Sequence, residues 1–594
     1  MAVMRVWAPK AAEVALECGG RVVPLTQAGG GWWSVDAPFV RHGVDYAFRL
    51  DGDGPFPDPR SASQPAGVHG PSRWVDHSRF VWSDERWQQA PLGSAVIYEL
   101  HVGTFTPTGT FAAAIDRLDH LAALGVTHVE LMPVGEFSGR RGWGYDGVGL
   151  YAPHHAYGDP ADLKLLVDAC HQRGLAVLLD VVYNHLGPEG NYLPRFGPYF
   201  TDRYATPWGE AVNVDGPGSD EVRRFIIDNA LMWLRDYHFD GLRIDAVHAI
   251  VDTSAVHLLE QLAAEVEELE AELGRHLVLI AESDLNDPRI VREPGLGGYG
   301  LDAQWNEDFH HALHAVLTGE RDGYYRDFGT LSDLAKVLTR GFAYDGRYSV
   351  HRDRRHGRPL EGLSAHRFVG CLQNHDQVGN RALGERTSLL LTDGQLKIGA
   401  ALVLTAPFVP MLFQGEEWGA ATPFLYFTDH ADAELAEAVR RGRRAEFAPF
   451  GWEPDSIPDP QAEETFLRSR LDWGEAQRPP HDGLLAWHEA LIALRGRLPG
   501  LRDGRLDRTT VRFDEDARWL VVERGSLSVI CNLSDARQRI ELPEARATEV
   551  VLASVAGTVR EDDAFALPGH SVVIAWGGAS EAAPPRTDQS SITR

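Results

Sequence analysis

Cysteine is the first scarcity: four among 594 residues, Cys18, Cys170, Cys371 and Cys531, stand far apart with no CxxC pair. That excludes a disulfide framework and a cysteine-ligated metal centre, and it fits free thiols in a reducing compartment. Long apolar runs are missing too. None approaches the roughly 20 residues that a membrane helix needs. The opening MAVMRVWAPK enters alternating strand pattern at once, with no apolar core of a signal peptide, so a cytoplasmic location is expected. Positive charge is in deficit, with 57 Lys plus Arg against 85 Asp plus Glu and a formal net charge of -28. A surface that acidic repels nucleic acid and anionic membranes, so neither is expected as a partner. The one basic cluster, RRGRR at 440–444, adjoins DHADAELAEA and reads as a solvated helix face. Phosphate-cradling motifs are lacking. There is no GxxxxGK[ST], and GWGYDG (142–147) and GLGGYG (295–300) match GxGxxG without following a strand and opening a helix.

What remains is a chain that is 44% hydrophobic and 24% charged, too long for one core, so several domains are expected. Residues 1–90 alternate short strands with Gly and Pro turns (MRVWAP, EVALECG, GWWSVDAP, VDYAFRLDGDG). This predicts an N-terminal β-sandwich of immunoglobulin-like or carbohydrate-binding-module-like type. Over 91–504 apolar strands alternate with amphipathic helices, from SAVIYELHVG to PFVPMLFQGEE, with a long irregular stretch near 284–330. About eight such strands predict the α/β class and a closed (β/α)8 TIM barrel. Strands without helices return over 505–578 and predict a C-terminal β-sandwich. Residues 579–594, rich in Ala, Pro, Ser and Thr, read as a disordered tail.

A barrel of this kind carries its active site at the C-terminal ends of its strands. Strand three ends LLDVVYNH, with Asp180, Asn184 and His185. Strand four ends LRIDAVH, with Arg243, Asp245 and His248. Strand five ends LIAES, with Glu282, and strand seven QNHD, with His375 and Asp376. Arg243 and Asp245 lie two apart and therefore face the same way, with Leu242 and Ile244 opposite. That pair alone could be a structural bridge, but three carboxylates converging from separate strands point to chemistry. Two carboxyl groups across an acetal bond are what glycoside hydrolysis needs. Arg243 is expected to lower the pKa of Asp245 and keep it nucleophilic, while the apolar run before Glu282 is expected to raise its pKa and hold a proton for the leaving oxygen. Asp376 is left to orient the sugar and stabilise positive charge. His185 and His375 can hydrogen-bond sugar hydroxyls, and Tyr145 offers a stacking face.

These four stretches resemble, in order, the signature regions of the α-amylase family of glycoside hydrolases. The resemblance covers nearly the whole chain and narrows, through YELHVGTFTPTGTF, MPVGEFSGRRGWGYDGVGLYAPHHAYG, WNEDFHHALHAVLTGERDGYYRDFG and PFLYFTDH, to the trehalose-releasing branch of that family. It implies maltooligosyltrehalose and α-glucan substrates, Asp245 as nucleophile, Glu282 as acid/base and Asp376 as transition-state stabiliser. It also implies substrate contacts at Ala246, His248, Asp308, Phe309, His310, His311, Gln377, Asn380, Arg381 and Glu385, alongside Arg243. Aromatic and histidine residues at Trp305, Phe309, His310, Tyr324 and Tyr325 are expected to form the pocket for the terminal disaccharide. A glycogen branching enzyme, with the same barrel and carboxylates, is the competing reading, and a catalytically dead glucan-binding scaffold a third. No cofactor is expected. His310 and His314 have zinc-compatible spacing without a third ligand, and Asn184, at a frequent calcium position, lacks an oxygen cage, so no metal is expected. EVEELEAE (265–272) reads as an exposed helix face. The chain is expected to work as a monomer or homodimer.

Overall fold

Eight short strands close into a parallel barrel in sequence order: β1 Ile97–Leu100, β2 His128–Leu131, β3 Ala176–Val181, β4 Gly241–Ile244, β5 Val278–Ala281, β6 Ala303–Trp305, β7 Phe368–Cys371 and β8 Val409–Phe413, which pairs back onto β1. The computed structural model describes residues 3–447, 453, 456–543, 549–561 and 563–577. The tail expected over 579–594 lies outside the described residues. Register sets the site: Asp180 on β3 is opposite Arg243 on β4, and Arg243 is opposite Ile280 on β5. Ile97, Leu178, Val278, Ile280, Ala303, Trp305, Val369, Val409 and Met411 fill the barrel with one apolar cluster. Glu99, Glu130, Asp180, Arg243 and Gln304 are also buried on the strands.

The stretch expected to be irregular near 284–330 holds β6 and the helix Glu307–Thr318. Three residues of strand are too few to show a period of two, so the sequence carried no strand signal there. The helices are apolar on the face toward the barrel and capped in the usual way. The helix Pro160–His171, for example, opens on a capping box from Asp159 and Asp162.

Before the barrel, strands between Val3 and Arg73 form two antiparallel sheets. Arg60 clamps them to the barrel helix Ser219–Asp236, donating to Asp228 at 2.8 Å and to the Tyr151 hydroxyl at 2.9 Å. After it, strands between Thr509 and Trp576 form a five-stranded and a three-stranded sheet. Val521, Ile530 and Val573 from one, with Ile540, Phe565 and Leu567 from the other, share a core, so the two sheets pack face to face. The RRGRR segment lies in the helix Ala433–Phe447, and it is not wholly solvated as expected. Arg443 is buried and donates to the carbonyls of Gly379 and Arg381, with its guanidinium over the rings of Tyr426 and Phe447 at 5.3 and 4.6 Å.

Candidate active site

Arg243 organises the rim. Its guanidinium is fully buried and lies over the Trp305 ring at 4.1 Å. One nitrogen, Nη1, donates to Asp180 Oδ2 at 2.7 Å and to Asp245 Oδ1 at 2.9 Å, and Nη2 lies 3.2 Å from Glu282 Oε2. Asp245 Oδ2 accepts from Asn184 Nδ2 at 3.0 Å, and Glu282 Oε2 accepts from the Ala246 backbone N–H at 2.7 Å. Ala246 reaches that position in the left-handed region, with φ 39, so the backbone turns under the carboxyl group directly after β4.

The electrostatics differ from expectation at one group. Burial pushes the Asp245 carboxyl up to about 6; Arg243 pulls it down, as expected, but does not outweigh desolvation aided by Asp180 and Asp376. Glu282 behaves as expected. Burial pushes it up to about 7 against the pull of Arg243, with Asp245 and Asp376 adding to the rise. Glu282 thus holds its proton more tightly than Asp245. Asp376, in the short helix His375–Gly379 after β7, is about one-third exposed and accepts from Asn380 Nδ2 at 3.3 Å.

A chain of hydrogen bonds runs beneath these groups. Glu99 on β1 receives both the His375 backbone N–H, at 3.0 Å, and its Nδ1–H, at 2.5 Å. His375 Nε2 lies 2.8 Å from the Tyr145 hydroxyl, which donates to Asp180 Oδ2 at 2.6 Å. Burial opposes a charge on His375, yet Asp376 and Glu99 together push its pKa up to about 9. The Tyr145 ring stacks on His375, centroids 5.1 Å apart.

This network corrects the expectation that His185 and His375 bond sugar hydroxyls. His375 spends both ring nitrogens on Glu99 and Tyr145, and His185 spends its own on Asn184 Oδ1 and the Tyr145 carbonyl. His185 stacks on half-exposed Trp208 at 4.4 Å, a contact the sequence did not suggest because Trp208 sits in a hairpin distant in the chain. Asp308 is likewise taken: Oδ2 accepts from Asn286 Nδ2 and from the backbone N–H groups of Ala343 and Tyr344. Phe309 has no exposed surface and packs on Phe408, so it belongs to the core. His310 is buried between the Leu372 carbonyl and the Tyr325 hydroxyl, and Trp305 and Tyr325 are buried as well. Of the expected disaccharide pocket, Tyr324 alone is exposed, with His311 stacked against it at 4.7 Å. Arg381 and Glu385 form an ion pair, and Arg381 also donates to Glu320 at 2.9 and 3.0 Å. His248 and Asn380 are exposed, and the Gln377 Oε1 atom is buried without a partner.

Sequence reasoning missed Glu99 and Glu307. Glu99 could have been found as a charged residue inside the apolar strand pattern of AVIYEL, as Arg243 was. Half-buried Glu307 begins the helix after β6, with Glu282, Asp284 and Asp376 near enough to help desolvation raise its carboxyl pKa well above the usual range. Its position became readable only with β6.

The catalytic domain of alpha-amylase, as a family, matches residues 71–201, and a domain of unknown function, DUF3459, matches 504–574. A malto-oligosyltrehalose trehalohydrolase of Arthrobacter ramosus is 58% identical over 88% of this chain and 91% of its own. One from Rhizobium sp. (strain M-11) is 50% identical over 96% of this chain and 95% of its own. A crystal structure provisionally assigned as an alpha amylase, from Salmonella typhimurium, superposes with TM-score 0.89 at 39% identity, covering 97% of each chain. The matched relatives span nearly the whole molecule, both flanking sheet regions included, and the chain belongs to the malto-oligosyltrehalose trehalohydrolases of the α-amylase family.

Proposed function

We propose that this enzyme hydrolyses the α-1,4-glucosidic bond next to the terminal trehalose of maltooligosyltrehalose by double displacement. The observation that carries the mechanism is the pair Asp245 and Glu282, held by one guanidinium, with the tighter-held proton on Glu282. Asp245 attacks the anomeric carbon as Glu282 gives its proton to the bridging oxygen, so trehalose leaves as the free disaccharide and a glycosyl ester forms on Asp245. Glu282, now a carboxylate, takes a proton from water, which attacks the same carbon and restores both groups. The shortened maltooligosaccharide leaves with its α configuration retained. Asp376, close enough to Asp245 to raise its pKa, stabilises the oxocarbenium-like charge. Tyr145, held in place by His375 and Asp180, offers a face to the sugar, and Tyr324 with His311 contacts the trehalose end.

The names and high identity of the full-length relatives support the trehalose end as the determinant. A site built to pair a particular disaccharide's hydroxyls rejects one that leaves them unpaired by ~10⁴ or more. The test is incubation with maltotriosyltrehalose and with maltopentaose, products resolved by chromatography. Free trehalose plus maltotriose from the first, with little turnover of the second, is expected. Comparable kcat/KM on both would refute the specificity, and chain transfer without new reducing ends would return the branching-enzyme reading.

A further inference from the structure

We propose that Glu136, His154 and His155 form a binding site for a divalent metal of the zinc class, which braces the loop presenting Tyr145. The three side chains sit on the hairpin Gly135–Glu136 with Gly149–Pro153 and just beyond it, and the segment between those strands carries Trp143 and Tyr145. One donor atom from each lies within 4.8 Å of the others, and among the described residues no other three His, Cys, Asp or Glu side chains converge in this way. His154 Nδ1 is 3.4 Å from Glu136 Oε2, and His155 Nδ1 is 2.7 Å from Glu136 Oε1. Tetrahedral zinc with bonds of about 2.0–2.2 Å sets ligand atoms about 3.3–3.6 Å apart, so the first pair is already at that spacing. The second, at 2.7 Å, must open by about 0.6–0.9 Å when metal replaces its proton.

His154 is the independent observation. Its ring has no exposed surface, stacks on Phe137 at 3.7 Å, and neither ring nitrogen has a hydrogen-bond partner. Its neighbours, Glu136 Oε2 at 3.4 Å and the Arg140 carbonyl, leave the ring without a well-formed hydrogen bond, the kind of buried polar group that a bound ion or water satisfies. Burial lowers the His154 pKa, while Glu136 and the Arg140 carbonyl oppose that fall. Glu136, also fully buried, is steered by the His155 backbone N–H, which donates to Oε2 at 2.8 Å, the kind of outer contact that orients a metal-binding carboxylate. His155, one-fifth exposed, lines a cavity of about 560 Å³ between the N-terminal sheets and the barrel, which gives the ion a way in and a water as fourth ligand. A proton shared between Glu136 and His155 would satisfy those two groups and leave His154 unexplained. Two imidazoles and one carboxylate suit zinc over calcium or magnesium, which prefer all-oxygen cages.

The test uses the full-length chain with any affinity tag removed, stripped with chelator, loaded with ZnCl₂ and desalted. Metal is counted by plasma mass spectrometry, and the melting temperature is followed with and without zinc. About one zinc per chain, a zinc-dependent rise in Tm and at least about tenfold weaker zinc binding in Glu136→Gln and His154→Asn are expected. His155→Ala, at the exposed edge, serves as the variant if the buried ones fail to fold. Cobalt loading should give a tetrahedral visible spectrum that His155→Ala weakens. Zinc and cobalt well below one equivalent in the wild type, or the same content in wild type and folded variants, would overturn the proposal.

Discussion

Arg243 donates to Asp180 and Asp245 and lies against Glu282, so the protons of these carboxyl groups are shared out by one cation. With Asp245 near about 6 and Glu282 near about 7, kcat/KM should follow a narrow bell. It rises as Asp245 ionises and falls as Glu282 loses its proton. Glu282→Gln should cost about 10²–10⁴-fold on the natural substrate, and far less on an aryl glycoside whose leaving group needs no proton. Equal losses on both would remove Glu282 from the acid role. At His375 the sign is the reverse of a carboxylate's. Its folded pKa, about 9, lies above the ordinary 6.5, so the stabilisation is full below about pH 6.5 and disappears as pH rises through about 9. Glu99→Gln removes one of the two anions that hold this charge. Chemical denaturation should show a loss of about 1–2 kcal/mol at pH 6 that shrinks by pH 9. A pH-independent loss would mean that Glu99 acts through packing alone. Arg243 and Asp245 were legible because two charges inside an apolar strand are expensive unless used. The net rise of the Asp245 pKa was not, since it depends on how deeply the tertiary fold buries that carboxyl.

At the scale of elements, strands with a run of apolar residues announced themselves, and β6 did not. Ala303–Trp305 is recognisable only from its pairing with β5 and β7. Its consequence for the site is large, because the helix beginning at Glu307 hangs from it and turns Phe309, implied by resemblance as a sugar contact, into the core. The loop that carries Tyr145 shows the opposite case, a local constraint written in one residue. Gly144 has φ 101, and a Cβ there would stand 2.2 Å from the Pro133 carbonyl oxygen. Gly144→Ala must therefore shift the loop that holds Tyr145 against Asp180 and His375. A fall in kcat of at least about tenfold is expected, with Tm lowered by only a few degrees, since a misplacement of about 1 Å can cost 10²-fold in rate. Unchanged kcat would show that the Tyr145 network is not needed for turnover.

At the scale of the whole molecule, the C-terminal sheets are joined to the barrel through backbone carbonyls. Arg524, in the C-terminal sheets, donates through Nη1 to Thr405, Ala406 and Leu501, while Arg495, in the preceding helix His481–Arg497, donates to Leu404, Ala406 and Phe408. Apart from that of Leu501, these carbonyls lie at the end of the helix Asp393–Thr405 and just before β8, the strand that closes the barrel. Arg524→Met keeps the bulk and leaves buried acceptors unpaired, so a loss of about 1–3 kcal/mol in thermal or denaturant unfolding is expected. Unaltered stability would mean that the two parts are held by apolar packing alone. The strand-only rhythm after 505 was legible in sequence; Arg524, which joins it to the barrel, was not, because backbone acceptors leave no signature in the residues that supply them. The four thiols are spread through this architecture: Cys18 in the N-terminal sheets, Cys170 in a barrel helix, Cys371 in β7 and Cys531 in the C-terminal sheets, all buried and unpaired. The molecule thus carries at least one silent reporter in each of its parts, two of them in the barrel. Under native conditions a thiol-modifying reagent should be taken up only as each part opens, so four labelling clocks, read by peptide mass spectrometry, would time the N-terminal sheets, barrel and C-terminal sheets separately. Matching rates at all four would instead mean that the whole chain opens as one body.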